Sequence, residues 1–160
     1  MHWRKIIGRV HETFTGAKLK LSAAESCTGG LIAHYLTMLP GSSAFFEAGV
    51  VAYSAASKKT ILKVPAKTVA ARGVVSREAA KIMAERVRLL TKTDYAVSTT
   101  GNLGPDLLEH KEKGLIFIGV SRKGGTVVRE LRLRGTREQI KKKAALAALE
   151  FLLEATPHGR

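Results

Sequence analysis

Several things are scarce in these 160 residues, and each scarcity excludes something. There is one cysteine, Cys27, so no internal disulfide can form, which fits a reducing compartment. No apolar run approaches the roughly 18 residues that a membrane helix needs. The opening Met1-His2-Trp3-Arg4-Lys5 leads into no long apolar segment with a cleavage site, so neither a membrane partner nor a signal peptide is expected. A cytoplasmic location follows as the expectation. Acidic residues are few: 13 Asp and Glu stand against 27 Lys and Arg, a net charge of +14 with a pI near 10.3. A composition of 45% hydrophobic and 25% charged residues belongs to a globular chain rather than a disordered tail. A chain of this length supports one proper core, so residues 1–160 are read as a single domain.

Charge is also missing locally. From Ser26 to Ser57 the only charged residue is Glu47, which marks a core segment or the lining of a cleft. The reverse holds from Arg122 to Lys143, where nine basic residues meet only Glu130 and Glu138. A basic surface attracts phosphate, on nucleic acid or on a small ligand, and it is equally what a solvated face looks like. Aromatic residues do not alternate with the basic ones, and no zinc-finger or RNA-binding signature appears, so specific nucleic-acid binding is not expected.

Periodicity supplies the elements. Trp3, Ile6, Ile7, Val10 and Phe14 mark an amphipathic helix over 2–16. Strands are predicted at 19–24, 46–53 and 95–99, the second of them buried through Val50 and Val51, with helices at 31–39 and 55–63 and a short one from Pro65. Ser76 caps a helix with an apolar stripe of Ala79, Met83, Val87 and Leu90. Strands at 115–121 and 126–133 flank Gly124-Gly125 as a hairpin. Thr136-Arg137-Glu138-Gln139 opens the last helix as a capping box, with Ile140, Ala144, Ala147 and Phe151 on one face. Interleaved helices and strands with one hairpin predict a three-layer α/β/α domain with a mixed β-sheet.

Three segments carry candidate chemistry. Glu25-Ser26-Cys27-Thr28-Gly29-Gly30 joins a strand to a helix, where glycines and helix N–H groups suit an anion. Cys27 within it reads as a small buried hydrophobe. The second segment is Gly41-Ser42-Ser43-Ala44-Phe45-Phe46-Glu47, followed by Tyr53 and by Lys58 at the end of the charge-poor stretch. No Ser–His–Asp arrangement stands out, but a desolvated lysine can serve a serine as base. On spacing alone, a turn-capping serine and a surface lysine explain the same residues. The third is Thr100-Gly101-Asn102-Leu103-Gly104-Pro105, a turn at a strand end where α/β folds gather ligands.

Taken together these segments, with Gly49-Val50-Val51-Ala52-Tyr53-Ser54 and Gly73-Val74-Val75-Ser76, resemble the C-terminal domain of the competence/damage-inducible protein CinA, the nicotinamide mononucleotide deamidase family. The resemblance runs over roughly residues 5–153. It implies a cofactor-free, metal-free amidohydrolase that converts nicotinamide mononucleotide to nicotinate mononucleotide and ammonia. Ser43 would be the nucleophile, Lys58 the base and Tyr53 a third catalytic residue. Ser26, Thr28, Gly29, Gly30, Thr100, Gly101, Arg137 and Lys141 would bind the small-molecule nucleotide. Lys141-Lys142 stands where the family usually has Arg-Arg, which keeps charge and loses the bidentate fork. The family's glycine-rich loop after Thr100-Gly101 is replaced by Asn102 to Gly114 with bulky Leu107 and Leu108. That departure supports a second reading, a catalytically weakened relative that binds a nucleotide or a partner protein. The larger family protein carries an additional N-terminal domain, for which 160 residues leave no room. A straight strand from Glu47 to Tyr53 covers about 23 Å at about 3.3 Å per residue. Ser43 and Lys58 therefore meet only if the chain bends, as at Gly49, or across a subunit boundary in the homo-oligomer that is expected.

Overall fold

The computed structural model describes residues 2–157; Met1 and 158–160 lie outside the described residues. Helix α1 (His2–Gly16) leads to β1 (Leu21–Glu25) and α2 (Leu31–Thr37). A short 3-10 turn, Ser42–Ala44, precedes β2 (Phe46–Val51). Three helices follow, α3 (Ala55–Thr60), α4 (Ala66–Arg72) and α5 (Arg77–Thr91). Then come β3 (Tyr95–Gly101), β4 (Leu115–Arg122), β5 (Gly125–Arg132) and α6 (Arg137–Ala155). The five strands form one mixed sheet in the order β2-β1-β3-β4-β5. The pairs β2–β1 and β1–β3 are parallel, and β3–β4 and β4–β5 are antiparallel.

This is a single α/β domain with three layers. Helices α1, α2 and α6 cover one face of the sheet through Phe14, Leu36, Ile118, Ile140 and Leu152. Helix α5 covers the other, with α4 packed on it, through Met83, Val87, Ala96 and Phe117. Strands β1 and β4 read almost continuously apolar or small, and they are buried along nearly their whole length, as strands covered on both faces must be. The edge strands β2 and β5 alternate between half-buried and exposed positions. Edge β5 carries Arg129 and Arg132, charges that discourage pairing with another chain.

The local signals are realised closely. Ser76 Oγ accepts from the Ala79 N–H, and the Thr136–Gln139 capping box is complete. The hairpin turns on Lys123-Gly124, one residue earlier than expected, with Gly124 at φ 96°. Leu90, expected on the apolar stripe of α5, is exposed, and Ala80 and Ala84 are buried instead. Helix α6 is wedged between the sheet and the α1–α2 pair, so its buried surface is broader than one stripe. Ala145, Ala148 and Leu149 are buried while Ala147 is only half-buried.

Candidate functional site

The three parallel strands end on the same side of the sheet. After β1 the chain crosses through α2 on one face, and after β2 it crosses through α5 on the other. The carboxyl ends of the strands therefore open into a crevice, the usual ligand position in such sheets. A cleft of about 440 Å³ lies there, walled by Ser26, Tyr53, Lys58, Thr100, Leu108 and Arg137 among others. A second depression, of about 500 Å³, lies between α4 and α5. It sets Lys67, Arg72 and Lys81 against Glu78 and Glu85, a nearly balanced set, and none of the three candidate segments reaches it.

The turn after β1 is organised by a buried carboxylate. Glu25 accepts from the Thr28 hydroxyl and from the backbone N–H groups of Gly30 (3.0 Å), Ile32 (3.1 Å) and Ala33 (2.9 Å). It thus satisfies donors at the start of α2 that no residue of that helix can satisfy. The Ser26 N–H is tied to the Thr99 carbonyl at 3.0 Å. With the turn held on both sides, the Ser26 side chain meets the amine of Lys58 at 2.8 Å.

Lys58 is 1% exposed, although it sits on a six-residue helix. Its Nζ also donates to the carbonyls of Ala52 (3.0 Å) and Tyr53 (2.9 Å). Carbonyls only accept, so two protons of the amine go to them. Toward Ser26 the amine either donates a third proton or, uncharged, accepts the serine O–H. Both protonation states are satisfied in one geometry. Burial lowers the pKa of Lys58 below its ordinary value of 10.5, while Cys27 as thiolate and Glu109 act in the other direction. Burial also pushes the Cys27 thiol up to about 12, so at neutral pH it is uncharged and offers Lys58 no counter-charge. Its burial matches the small-hydrophobe reading.

The far wall is built by α6. Arg137, its first residue, donates to the Gly104 carbonyl at 2.6 Å and to the Tyr53 hydroxyl at 2.9 Å. Tyr53 is 58% exposed, so its ring stands at the mouth. One turn along the helix, Lys141 lies over the turn after β1. A methyl group added to Gly29 would stand 3.3 Å from its Nζ. Thr100 donates to the Val74 carbonyl at 2.6 Å. Gly101 has no room for a side chain: a Cβ would overlap Ile116 and lie 2.7 Å from the Leu115 carbonyl. Thr28 is fully buried and bonds Glu25 and Thr99, so its hydroxyl faces the interior. Gly29 and Gly30 take positive φ (57° and 99°) in the turn and are not part of the cleft wall.

Ser43 is elsewhere, and the expected dyad is overturned. It is exposed on the 3-10 turn before the first residue of β2. The parallel register pairs Leu21 with Phe46 and Glu25 with Val51, so the carboxyl end of β2, where Ser26 and Lys58 meet, is a full strand away. At about 3.3 Å per residue, six residues separate the two ends by roughly 20 Å. Gly49 does not fold the strand back; it sits within β2 opposite Ala23. Lys58 has taken Ser26 instead.

Sequence reasoning also passed over three residues that shape the cleft. Glu25 closes β1 six residues ahead of the first residue of α2, outside the usual capping spacing, so no local pattern marks its role. Asn102 accepts from the Gly104 N–H (2.8 Å) and donates to the carbonyls of Asp106 (2.9 Å) and Lys111 (3.0 Å), so it shapes the 102–114 loop. Glu109 fastens that loop to Val74 and Val75. Nothing local in the sequence announces the last two contacts. Among the described residues, no group of three or more His, Cys, Asp or Glu side chains is gathered as a metal site would require.

This is an open α/β domain with a cleft at its strand ends, and comparison with known proteins makes the class specific. The chain matches the CinA C-terminal domain over residues 4–156 and belongs to that family. It is 44% identical over 133 residues to a protein of Caldanaerobacter subterraneus subsp. tengcongensis described as competence-damage inducible, covering 82% of this chain and 32% of that protein. The chain thus spans about a third of the length of the curated relatives it matches. Among solved structures, the competence damage-inducible protein A of Klebsiella pneumoniae superposes with a TM-score of 0.95 at 28% identity, covering 99% of both chains. The competence/damage inducible protein CihA of Agrobacterium tumefaciens gives 0.91 at 34% identity, over 95% of this chain and 94% of that one. The expected deamidation of nicotinamide mononucleotide through a Ser43–Lys58 acyl-enzyme is therefore corrected. Its nucleophile and base stand at opposite ends of β2, which favours the binding reading, and what the comparisons support is family membership.

Proposed function

We propose that the chain binds a small anionic ligand of mononucleotide size in the cleft at the carboxyl ends of β1 and β3. The observation that carries this reading is Arg137. Its guanidinium is fixed at the mouth by a carbonyl and a phenol, neither of which cancels its charge. Lys141 lies four residues on, on the same face of α6 and beside Gly29, and Lys58 stands within the cleft itself. The N-terminus of the 19-residue α6 contributes partial positive charge to the same place. Val74, Leu103 and Leu108 supply apolar wall for the body of the ligand. Glu25 is turned into the fold and Glu109 is turned to the Val74 and Val75 N–H groups, so neither carboxylate is paired with the Arg137 guanidinium. Because this chain spans a third of its curated relatives, any activity of the longer proteins stays outside the reading.

Titration calorimetry at low salt tests it, with nicotinamide mononucleotide and the matching nucleoside as probes. The nucleotide binds more tightly than the nucleoside, and Arg137→Ala weakens the nucleotide about tenfold or more while leaving the nucleoside unchanged, since a charge-assisted contact contributes about 1.5–3 kcal/mol. Equal affinity for the two probes overturns the proposal. The homo-oligomer expected from the sequence remains part of this proposal, and sedimentation velocity on the same sample reads it.

A further inference from the structure

The 102–114 loop is closed by an unusual contact. Leu108 and Lys111 form an isolated antiparallel bridge across a tight turn whose two central residues, Glu109 (φ 56°) and His110 (φ 61°), are both in the left-handed region. Such turns ordinarily take Asn or Gly at these places. The turn aims the Glu109 carboxylate at the backbone between α4 and α5. Both of its oxygens accept from the Val74 N–H at 3.0 Å, and Oε1 also accepts from the Val75 N–H at 3.0 Å. Gly73, at φ 80°, opens the approach: a Cβ there would overlap Oε2. Two successive N–H groups presented beside a glycine with positive φ make a concavity for an anion.

Val74 and Val75 are at the same time part of the cleft wall. The seat therefore adjoins the ligand space and lies close enough to Lys58 for the Glu109 charge to act on its amine. Its occupant is an exposed side chain on an exposed turn, which can leave without opening the core. Lys111 would remain as a tether through its 2.7 Å bond to the Arg72 carbonyl.

We infer that the Val74 and Val75 N–H groups form a second anion subsite of the cleft, for a carboxylate or phosphate group, and that Glu109 is its built-in competitor. This rests on the cleft being a ligand site, and it adds a second anion-binding pole besides Arg137. A ligand that carries two anionic groups displaces Glu109; a ligand with one leaves it seated.

Backbone amide NMR on the full chain tests this without a nucleotide, so its failure is separate from failure of the binding proposal. Acetate and inorganic phosphate are the probes, titrated at constant ionic strength. In Glu109→Ala the Val74 and Val75 amide signals move saturably with either anion. The apparent affinity is at least about tenfold above that of the unsubstituted chain, because a tethered competitor acts at an effective concentration in the millimolar range. Glu109→Gln keeps an acceptor oxygen and the turn, so it guards against loss of the loop fold and binds with intermediate affinity. Unmoved Val74 and Val75 signals in both variants overturn the inference. Equal responses in all three proteins also overturn it, as an adventitious ion only.

Discussion

Replacing Glu25 by glutamine changes one atom and tests whether the buried carboxylate holds the cleft together. Oε2 accepts from Thr28, Gly30 and Ile32, and Oε1 accepts from Ala33. Glutamine has one oxygen, so its NH2 must face at least one backbone donor. The least costly placement puts the oxygen at the Oε2 position and turns the NH2 toward Ala33, leaving that N–H unsatisfied at about 1–3 kcal/mol. The three surviving bonds lose their charge assistance, which is about half the strength of each. Relief of a buried charge works the other way, but a carboxylate with four donors is already well compensated. The net expectation is a loss of roughly 3 kcal/mol. With a urea m-value of about 2 kcal/mol/M, the unfolding midpoint falls by about 1.5 M. Urea unfolding followed by far-UV circular dichroism reads this directly. A fall of less than about 0.5 M would refute the view that Glu25 anchors α2 and, through the adjoining turn, Ser26.

Lys58 gives a pH signature. Its folded pKa lies below 10.5 because of burial, so the unfolded chain holds that proton more tightly. The lysine therefore destabilises the fold below its folded pKa, and the penalty fades as pH rises from there to 10.5, with a slope of at most about 1.4 kcal/mol per pH unit. The stability of the unsubstituted chain relative to Lys58→Met should climb through that window; parallel curves for the two proteins would contradict the assignment. Lys92 caps α5 at φ 54° and ψ 41°, a left-handed conformation that costs a side-chain-bearing residue about 1–2 kcal/mol. Lys92→Gly should stabilise by about 0.5–1 kcal/mol after the added chain entropy of glycine, read as a rise of about 1–4 °C in Tm. An unchanged or lower Tm would show that the strain is compensated elsewhere.

The elements were legible because their causes are local. The stripe Ile6, Ile7, Val10 and Phe14 repeats within one helix, and the Ser76 and Thr136 caps bond three residues away. The strand at 46–53, expected to be buried, is an edge strand of alternating exposure because only β1 pairs with it, and the charge-poor stretch from Ser26 to Ser57 borders the cleft at its two ends. Leu90 misled because periodicity counts residues and does not measure how far the neighbouring sheet extends. The site was legible in its parts. Lys58, Tyr53, Ser26, Thr100, Gly101 and Arg137 were all named from the sequence, and the cleft gathers them.

Which serine the lysine would meet was a different kind of question. Ser43 is nearer to Lys58 along the chain, with 15 positions between them against 32 for Ser26. Sequence distance favoured the wrong one. A parallel pair carries its two strands the same way, so the turn leaving β1 arrives beside the segment leaving β2, while the turn entering β2 is left at the far end of the sheet. Glu109 likewise reaches Val74 across 35 positions. The sequence by itself determined the helices, the strands, their caps and the chemistry on offer, since these depend on neighbours within a turn or a pleat. Only the tertiary structure decided the partners, because they are chosen by strand order and register, long-range properties that no short window of residues contains.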